Sequence, residues 1–165
     1  MMKDQVNIVG YFPGAIGGIT TLHATYYKAH WGLDHTFEAE VATELADFII
    51  NFDPAKDGLW CAVVGKDLAG SIAIVGQRDR PGEARLRWYI VDPRFHRMGI
   101  GKSLIERAIT FSRQAGFDLV GLWTFEGLER AQSIYQKNGF RLAQTREVPQ
   151  WGGMINEQQF ELYLR

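Results

Sequence analysis

The chain has 165 residues, with 18 Lys and Arg against 19 Asp and Glu, so its formal net charge is −1. This length predicts a single domain over residues 1–165, and the 46% hydrophobic and 22% charged residues exclude a disordered chain, a collagen and a disulfide scaffold. The near-zero charge argues against nucleic acid as a partner, because domains that bind nucleic acid are usually strongly basic.

The composition also predicts where the protein works. Cys61 is the single cysteine, so it cannot form an internal disulfide, and zinc sites usually combine several Cys or His. No apolar run approaches the roughly 18 residues of a membrane span. The first residues lack the apolar segment of a signal peptide. We therefore expect a reduced, cytoplasmic protein with no membrane partner.

The first part of the chain predicts one strand and two helices. Val6 to Tyr11 reads as a short strand. Apolar and aromatic residues then recur at helical spacing between Ile19 and His30, and Gly32 closes that helix. Asp34 is placed to cap a second helix, which ends before Asp53-Pro54.

Three antiparallel strands are predicted next, at Leu59–Val64, Gly70–Val75 and Glu83–Val91. The third strand alternates, so we expect one face to carry Leu86, Trp88 and Ile90 and the other to carry Arg85, Arg87 and Tyr89.

The remaining elements alternate between helix and strand before a final strand pair. A helix starts at Gly99-Ile100-Gly101 and is closed by Gly116, and a strand follows at Leu119–Trp123. A short helix at Leu128–Tyr135 is closed by Gly139. The last two strands, at Phe140–Arg146 and Gln158–Leu164, are joined by a loop with Trp151-Gly152-Gly153. The order β-α-α-β-β-β-α-β-α-β-β predicts an α/β fold with a mixed, mostly antiparallel sheet flanked by helices.

The strongest candidate for a ligand-binding segment is a glycine-rich loop. It lies between the predicted strand Glu83–Val91 and the helix that follows it. Within Val91–Leu104, Gly99 and Gly101 permit close approach, and the helix N-terminus offers backbone N–H groups that lack intrahelical partners. Cationic side chains are added by Arg94, His96, Arg97 and Lys102. This combination favours a phosphorylated ligand over a tight turn without one.

Two nucleotide-binding motifs fail at this loop. A Walker A loop requires Gly where this chain has His96, and a Rossmann fingerprint requires Gly where it has Leu104.

A third motif fits better, because the strand–loop–helix resembles the acetyl-CoA-binding segment of the GNAT N-acetyltransferase superfamily, [Q/R]-x-x-G-x-[G/A]. Gly99 and Gly101 match, whereas His96 departs from the usual Arg or Gln. Downstream, the segment AQSIYQKNGF (residues 131–140) is similar to the superfamily pattern A-x-x-x-Y-x-x-x-G-F. The N-terminal half resembles acetyltransferase domains fused to MarR-type winged-helix regulators, of which this chain would be a stand-alone form.

The resemblance implies an N-acetyltransferase that moves the acetyl group of acetyl-CoA to a primary amine by direct attack. The four His residues show no ligand pair with a carboxylate on one helix, so we expect no metal. The diphosphate would lie on the loop, the pantetheine arm along Arg87–Val91, and a backbone N–H of Ile90 or Val91 would bind the oxyanion. The implied cofactor-binding residues are Ile90, Val91, His96, Arg97, Met98, Gly99, Ile100, Gly101 and Lys102.

Tyr135 occupies the superfamily's usual general-acid position, from which its phenol could protonate the departing thiolate. The base is less clear, because Arg85 and Arg87 stand in the stretch where many members carry Glu. Glu126 is our first candidate, and Asp92, His30 and His23 are substitutes. Leu128 replaces an Asn that often contacts the cofactor.

On this fold the acceptor would lie between the first two helices and the late hairpin. The predicted substrate-binding residues are Tyr27, Trp31, Arg87 and Trp123, with further aromatic candidates at Tyr26, His30, Trp88 and Trp151. The segment from residue 34 to residue 53 holds six acidic residues and no Lys or Arg, which would attract a cationic amine. Arg85 and Arg87 would instead suit a carboxylate, and both together imply a zwitterionic acceptor or a peptide end.

Two other functions stay open from the sequence. A non-catalytic acyl-CoA-binding or regulatory domain on the same fold would explain the missing strand carboxylate, and an interaction module would explain the 13% aromatic residues. Homodimers are common on this fold, although nothing in the sequence specifies one.

Overall fold

The computed structural model describes residues 5–165; residues 1–4, which the predicted single domain includes, lie outside the described residues. In chain order the elements are β1 (Val6–Val9), α1 (Ala15–Trp31), α2 (His35–Ile50), β2 (Gly58–Val64), β3 (Asp67–Gly76), β4 (Glu83–Val91), a 3₁₀ turn (Pro93–Phe95), α3 (Ile100–Gln114), β5 (Leu119–Phe125), α4 (Glu129–Lys137), β6 (Arg141–Gln150) and β7 (Gly153–Tyr163). The predicted element order is confirmed.

The strands form one seven-stranded sheet in the order β1-β2-β3-β4-β5-β7-β6. Every neighbouring pair is antiparallel except β4 and β5, which run parallel. One hydrophobic core lies between the sheet and α3 with α4, and the other between the sheet and α1 with α2. Helices therefore cover both faces, as the mixed α/β prediction requires. Among the described residues, no helix has the length and apolarity needed to cross a membrane.

The junction between α1 and α2 has the capping residues that its sequence predicts. Gly32 ends α1 in the left-handed region with φ 68°, where a side chain would be strained. Asp34 caps α2 by accepting a hydrogen bond from the Thr36 N–H at 2.9 Å. These two ends bring α2 across the same face of the sheet as α1.

A β-bulge in β4 overturns the predicted side-chain alternation of that strand. Ser71 pairs with Ile90 and Ala73 with Arg87, so two residues of β4 face the single residue between them on β3. Trp88 lies in the bulge with φ 48°. Leu86 consequently packs in the α3-side core and Trp88 in the α1-side core, so the prediction that these two share a face is wrong.

β4 and β5 pair over only three positions and then separate. The parallel register runs from Glu83 opposite Leu119 to Arg85 opposite Gly121, and no further pairs follow. The bulge turns β4 away from β5 at this point, which opens a wedge between the second halves of the two strands.

The final hairpin is longer than the sequence predicts. β6 extends to Gln150 and β7 begins at Gly153, so the predicted loop is a two-residue turn. Trp151 and Gly152 both have positive φ, at 53° and 91°, as a tight hairpin turn needs. Pro149 falls inside β6, which the sheet tolerates because β6 is an edge strand.

Candidate active site

Two cavities meet in the wedge between β4 and β5. The α2-side cavity, of about 380 Å³, is lined by α1, α2, β4, β5 and the final hairpin, and the α4-side cavity, of about 340 Å³, by α1, α4 and the ends of β4 and β5. Four residues line both cavities and define the junction: Tyr27, Tyr89, Thr124 and Tyr135.

Tyr135 brings a neutral phenol to the junction. It lies on α4, is only 5% exposed, and packs against the rings of Tyr89, Phe140 and Phe160. Burial, together with the neighbouring phenols of Tyr27 and Tyr89, raises the pKa of Tyr135 well above its usual value of 10. The side chain therefore keeps its proton at physiological pH and can donate it.

Tyr89 links β4 to the start of α3. Its hydroxyl donates a hydrogen bond to the carbonyl oxygen of Gly101 at 2.6 Å. A Cβ added at Gly101 would lie 3.0 Å from that hydroxyl, so a larger residue would push the two elements apart. Gly101, the second residue of α3, thus serves the close packing of α3 on β4.

The N-terminus of α3 presents unpaired backbone N–H groups. The first intrahelical bond runs from the Ser103 N–H to the Gly99 carbonyl at 3.0 Å, so the three preceding N–H groups have no helical acceptor. Gly99 caps the helix in the left-handed region at φ 75°, and no side chain caps it. Arg97 also has a positive φ, of 69°. The predicted residues Arg97–Lys102 therefore form a site whose charge and N–H groups suit an anion.

His96 connects the same loop to the α4-side cavity, which it lines together with Ile90 and Val91. Its Nε2 lies 3.2 Å from the Val91 carbonyl oxygen, and its Nδ1 contacts the Arg130 guanidinium. Because a guanidinium only donates, Nδ1 accepts and Nε2 carries the proton. Met98 lies outside this network and is 42% exposed.

The edge of β4 that faces the wedge has a free backbone donor at Val91. Asp92 donates its N–H to the Ala69 carbonyl on β3 at 2.8 Å. Successive N–H groups along a strand point to opposite neighbours. The Val91 N–H therefore points toward the wedge, and that of Ile90 toward β3.

Charged pairs line the α2-side cavity. Arg87 on β4 pairs with Glu44 on α2, and Arg146 on β6 donates to Glu157 on β7 at 2.8 Å. Glu40 accepts a hydrogen bond from the Trp151 indole at 2.6 Å. The acidic α2 thus faces the cavity with at least two of its carboxylates rather than only solvent.

The structure brings three of the four predicted substrate residues to the cavities. Tyr27 lies at the junction, while Arg87 and Trp123 line the α2-side cavity, where Arg146 stacks over the Trp123 ring at 4.0 Å. Trp31 lines neither cavity. It packs edge-on against Phe125, with a ring-centroid distance of 5.6 Å.

The predicted bases fare differently. Glu126, on the turn after β5, is exposed and lines neither cavity. Asp92 is held by the Arg94 guanidinium at 2.9 Å. His23 lines the α2-side cavity, but burial lowers its pKa to about 4, and its Nδ1 donates to the Ile19 carbonyl at 2.8 Å.

Sequence reasoning missed Glu157 and Arg146, which belong to the final hairpin. Glu157 is 5% exposed and lines the α2-side cavity. It stands opposite Phe125 of β5 and next to the pair formed by Thr124 and Gln158. The one available signal was a carboxylate within a strand, but the predicted final strand began after it.

Thiol chemistry in this chain depends on its one cysteine, and metal binding depends on how its possible ligands are grouped. Cys61 is fully buried in β2, lines neither cavity, and burial raises the pKa of its thiol to about 11. Within residues 5–165, no group of three or more His, Cys, Asp or Glu side chains is placed to hold a metal ion.

The profile of the acetyltransferase (GNAT) family matches residues 19–140, which is most of the chain. The chain belongs to this family. It is therefore an acetyltransferase, and acetyl-CoA is the acetyl donor that the family uses. The anion site at the start of α3 fits the diphosphate of that donor.

Relatives and solved structures agree with this assignment. An uncharacterised N-acetyltransferase of Bacillus subtilis, YvbK, is 29% identical over 112 residues, covering 62% of this chain and 71% of the relative. A mycothiol acetyltransferase of Propionibacterium freudenreichii is 33% identical over 101 residues, covering 57% of this chain but only 30% of that longer protein.

The fold matches solved GNAT structures over nearly its whole length. An acetyltransferase of the GNAT family from Staphylococcus aureus Mu50 superposes with a TM-score of 0.78 at 18% identity, covering 98% of this chain and 100% of the other. A PaiA N-acetyltransferase from Thermoplasma acidophilum, solved in complex with coenzyme A, gives 0.71 at 17% identity, covering 96% and 99%. At these identities the likeness establishes the fold.

Proposed function

We propose that this GNAT protein transfers the acetyl group of acetyl-CoA to a primary amine by direct attack of the amine on the thioester. The observation that carries the proposal is the meeting of two cavities at Tyr135, between the separated strands β4 and β5. One cavity reaches His96, in the loop that precedes α3, and the other is a charged, aromatic pocket. Donor and acceptor would enter from opposite sides and react at the junction.

In this proposal the donor lies in the α4-side cavity. Its diphosphate accepts hydrogen bonds from the N–H groups at the start of α3, and Arg97 and Lys102 add positive charge. The pantetheine arm runs along the wedge edge of β4, where the pairing with β5 has ended at Arg85. Arg130, beside His96, lies at the mouth of this cavity and would contact the phosphate groups.

The Val91 N–H is the proposed oxyanion donor. Attack on the thioester places negative charge on the carbonyl oxygen, and a backbone N–H held in place before the reaction stabilises that charge without rearrangement. Of the two residues predicted for this role, Val91 directs its N–H toward the wedge, whereas Ile90 directs its N–H toward β3.

Glu157 replaces Glu126 as our candidate base. An ordinary amine has a pKa of about 10 and must lose a proton before it attacks. Glu157 is buried, lines the α2-side cavity and lies near the junction through its neighbours on β5. Its carboxylate would accept the proton directly or through one water molecule.

Tyr135 is the proposed acid. As the bond from the acetyl carbon to sulfur breaks, its phenol donates a hydrogen bond and then a proton to the departing thiolate. Cys61 takes no part, because its thiol is buried away from both cavities and stays protonated. The reaction therefore needs no acetyl-cysteine intermediate.

A non-catalytic acyl-CoA-binding domain is the second candidate. Two observations favour it: β4 carries arginines where many family members carry Glu, and Leu128 supplies no side-chain hydrogen bond at the start of α4. A homodimer and the likeness to domains fused to MarR-type regulators remain predictions.

A thiol-release assay separates the two candidates. Purified protein is incubated with acetyl-CoA and a panel of small primary amines, and free CoA is followed over time. We expect amine-dependent thiol release with at least one amine class and N-acetyl product by mass spectrometry. Acetyl-CoA binding by calorimetry without turnover on any amine would favour the binding domain.

A further inference from the structure

We infer that the acceptor carries a carboxylate as well as its amine, and that Arg85 binds this carboxylate. The inference rests on the proposed function and names its substrate class: a small amino-acid-like molecule. It rests on the absence, within residues 5–165, of a carboxylate partner for Arg85 in the α2-side cavity, where Arg87 and Arg146 each have one.

The α2-side cavity holds three arginines, two of which are neutralised within the protein. Arg87 pairs with Glu44 and Arg146 with Glu157. Among the described residues, Arg85 forms no ion pair, and its Nε is buried without a hydrogen-bond partner. The carboxylates of Glu44 and Glu157 raise the pKa of Arg85 from nearby, but each contacts another arginine, through its Oε2.

Arg85 is half-buried, and its Nε is the atom that is shielded from solvent without a partner in the described stretch of the chain. Partial burial, followed by the neighbouring Arg87, lowers the pKa of Arg85 against the opposing effect of Glu44 and Glu157. Buried charges are normally paired, and a guanidinium forms its strongest contacts with carboxylates, often through two parallel hydrogen bonds. A ligand carboxylate would supply the missing partner.

The position of Arg85 suits a small zwitterion. Arg85 stands at the last paired position of β4 and β5. It lines the same cavity as the junction residues Tyr89 and Tyr135, so a ligand held by Arg85 shares that cavity with the junction. The carboxylates of α2, including Glu40, attract the ammonium end. A cavity of about 380 Å³ lies at the small end of small-molecule sites.

Matched acceptors test the inference. For each of several side chains, thiol release is measured with the amino acid, its primary amide and the amine that lacks the carboxyl group, for example phenylalanine, phenylalaninamide and phenethylamine. We expect kcat/KM for the amino acid to exceed that of its partners by about tenfold or more, mainly through KM, as a charge-assisted bond predicts.

Variants of Arg85 test whether this residue causes the preference for acceptors with a carboxylate. Arg85→Gln should remove the preference, Arg85→Lys should keep part of it, and Arg113→Gln should keep all of it, since Arg113 is exposed at the far end of α3. The melting temperature of Arg85→Gln should equal or exceed that of the wild type, because no internal partner is lost. A structural arginine would give a lower one.

The outcomes separate this inference from the proposed function. Turnover of amines without regard to the carboxylate, or a preference that survives Arg85→Gln, overturns the inference and leaves the acetyltransferase proposal standing. If no amine turns over, binding is read from the fluorescence of Trp88, Trp123 and Trp151, which line the cavity. Equal affinity of an amino acid for wild type and Arg85→Gln would then overturn it.

Discussion

At the scale of single residues, the Tyr135 hydroxyl is the group proposed to protonate the departing CoA thiolate. Tyr135→Phe should lower kcat by about a hundredfold, which is the lower range for loss of an acid catalyst. The dissociation constant of acetyl-CoA should change little, because the ring still packs against Tyr89 and Phe160. Since burial keeps the wild-type phenol protonated beyond pH 10, kcat should show no alkaline loss from this group below that pH. Tyr163→Phe, at a 67% exposed position, is the control.

Two carboxylates compete at the same scale for the role of base. Glu157→Gln keeps the shape of the side chain but cannot accept a proton, so kcat should fall by about a hundredfold. Glu126→Gln should leave kcat unchanged, because Glu126 is exposed and lines neither cavity. Both are measured by thiol release at saturating amine, with melting temperatures to detect the loss of the Arg146 pair. A normal rate in the Glu157 variant would remove it from the mechanism.

The sequence predicts a residue's role correctly where that role depends only on residues close to it in the chain. Gly32, Asp34 and Gly99 act through the backbone angles or caps of their own helix ends, and each stands where the sequence places it. Glu157 could not be assigned, because its importance comes from its register against β5 and its pair with Arg146 on β6. Neither relation is local in sequence.

At the scale of elements, the bulge in β4 opens the wedge, and Ser71 holds it. The buried hydroxyl of Ser71 donates to the Trp88 carbonyl at 2.7 Å. Ser71→Ala leaves that carbonyl without this donor and should lower the free energy of unfolding by about 1–2 kcal/mol. It should also lower kcat, because Tyr89 lies in the bulge beside Trp88 and Val91 follows it.

Ser112→Ala is the matched control for this element. Ser112 is equally buried, but its hydroxyl donates to the Ala108 carbonyl at 2.8 Å inside α3, where the helix already provides a backbone donor. Its loss should cost less stability and leave kcat unchanged. Equal effects on kcat in the two variants would show that the bulge is not what positions the site.

Element order was predictable because helical spacing, caps and turn residues are local signals. The bulge was not, since alternation along Glu83–Val91 is unbroken in the sequence and only pairing with β3 inserts the extra residue. The final hairpin was predicted too short, because residues 147–157 were assigned to the loop around Trp151-Gly152-Gly153, whereas only Trp151 and Gly152 form the turn.

At the scale of the whole molecule, the net charge of −1 hides a separation of charge. Basic residues cluster around the loop at the start of α3, and acidic residues lie along α2, on opposite faces of the sheet. Near-neutrality thus coexists with an anion site on one side and a cation-attracting pocket on the other. Aromatic residues fill the space between, at the junction and in the α1-side core.

A crystal structure with CoA and a small amino acid bound tests the central claim, that donor and acceptor meet at Tyr135, most directly. The account predicts the CoA sulfur within hydrogen-bond reach of the Tyr135 hydroxyl, about 3–4 Å, with the pantetheine arm beside Val91 and the diphosphate on the N–H groups of α3. The amine should approach the sulfur from the α2-side cavity. A sulfur atom located away from the junction, or an acceptor bound outside that cavity, would contradict the account.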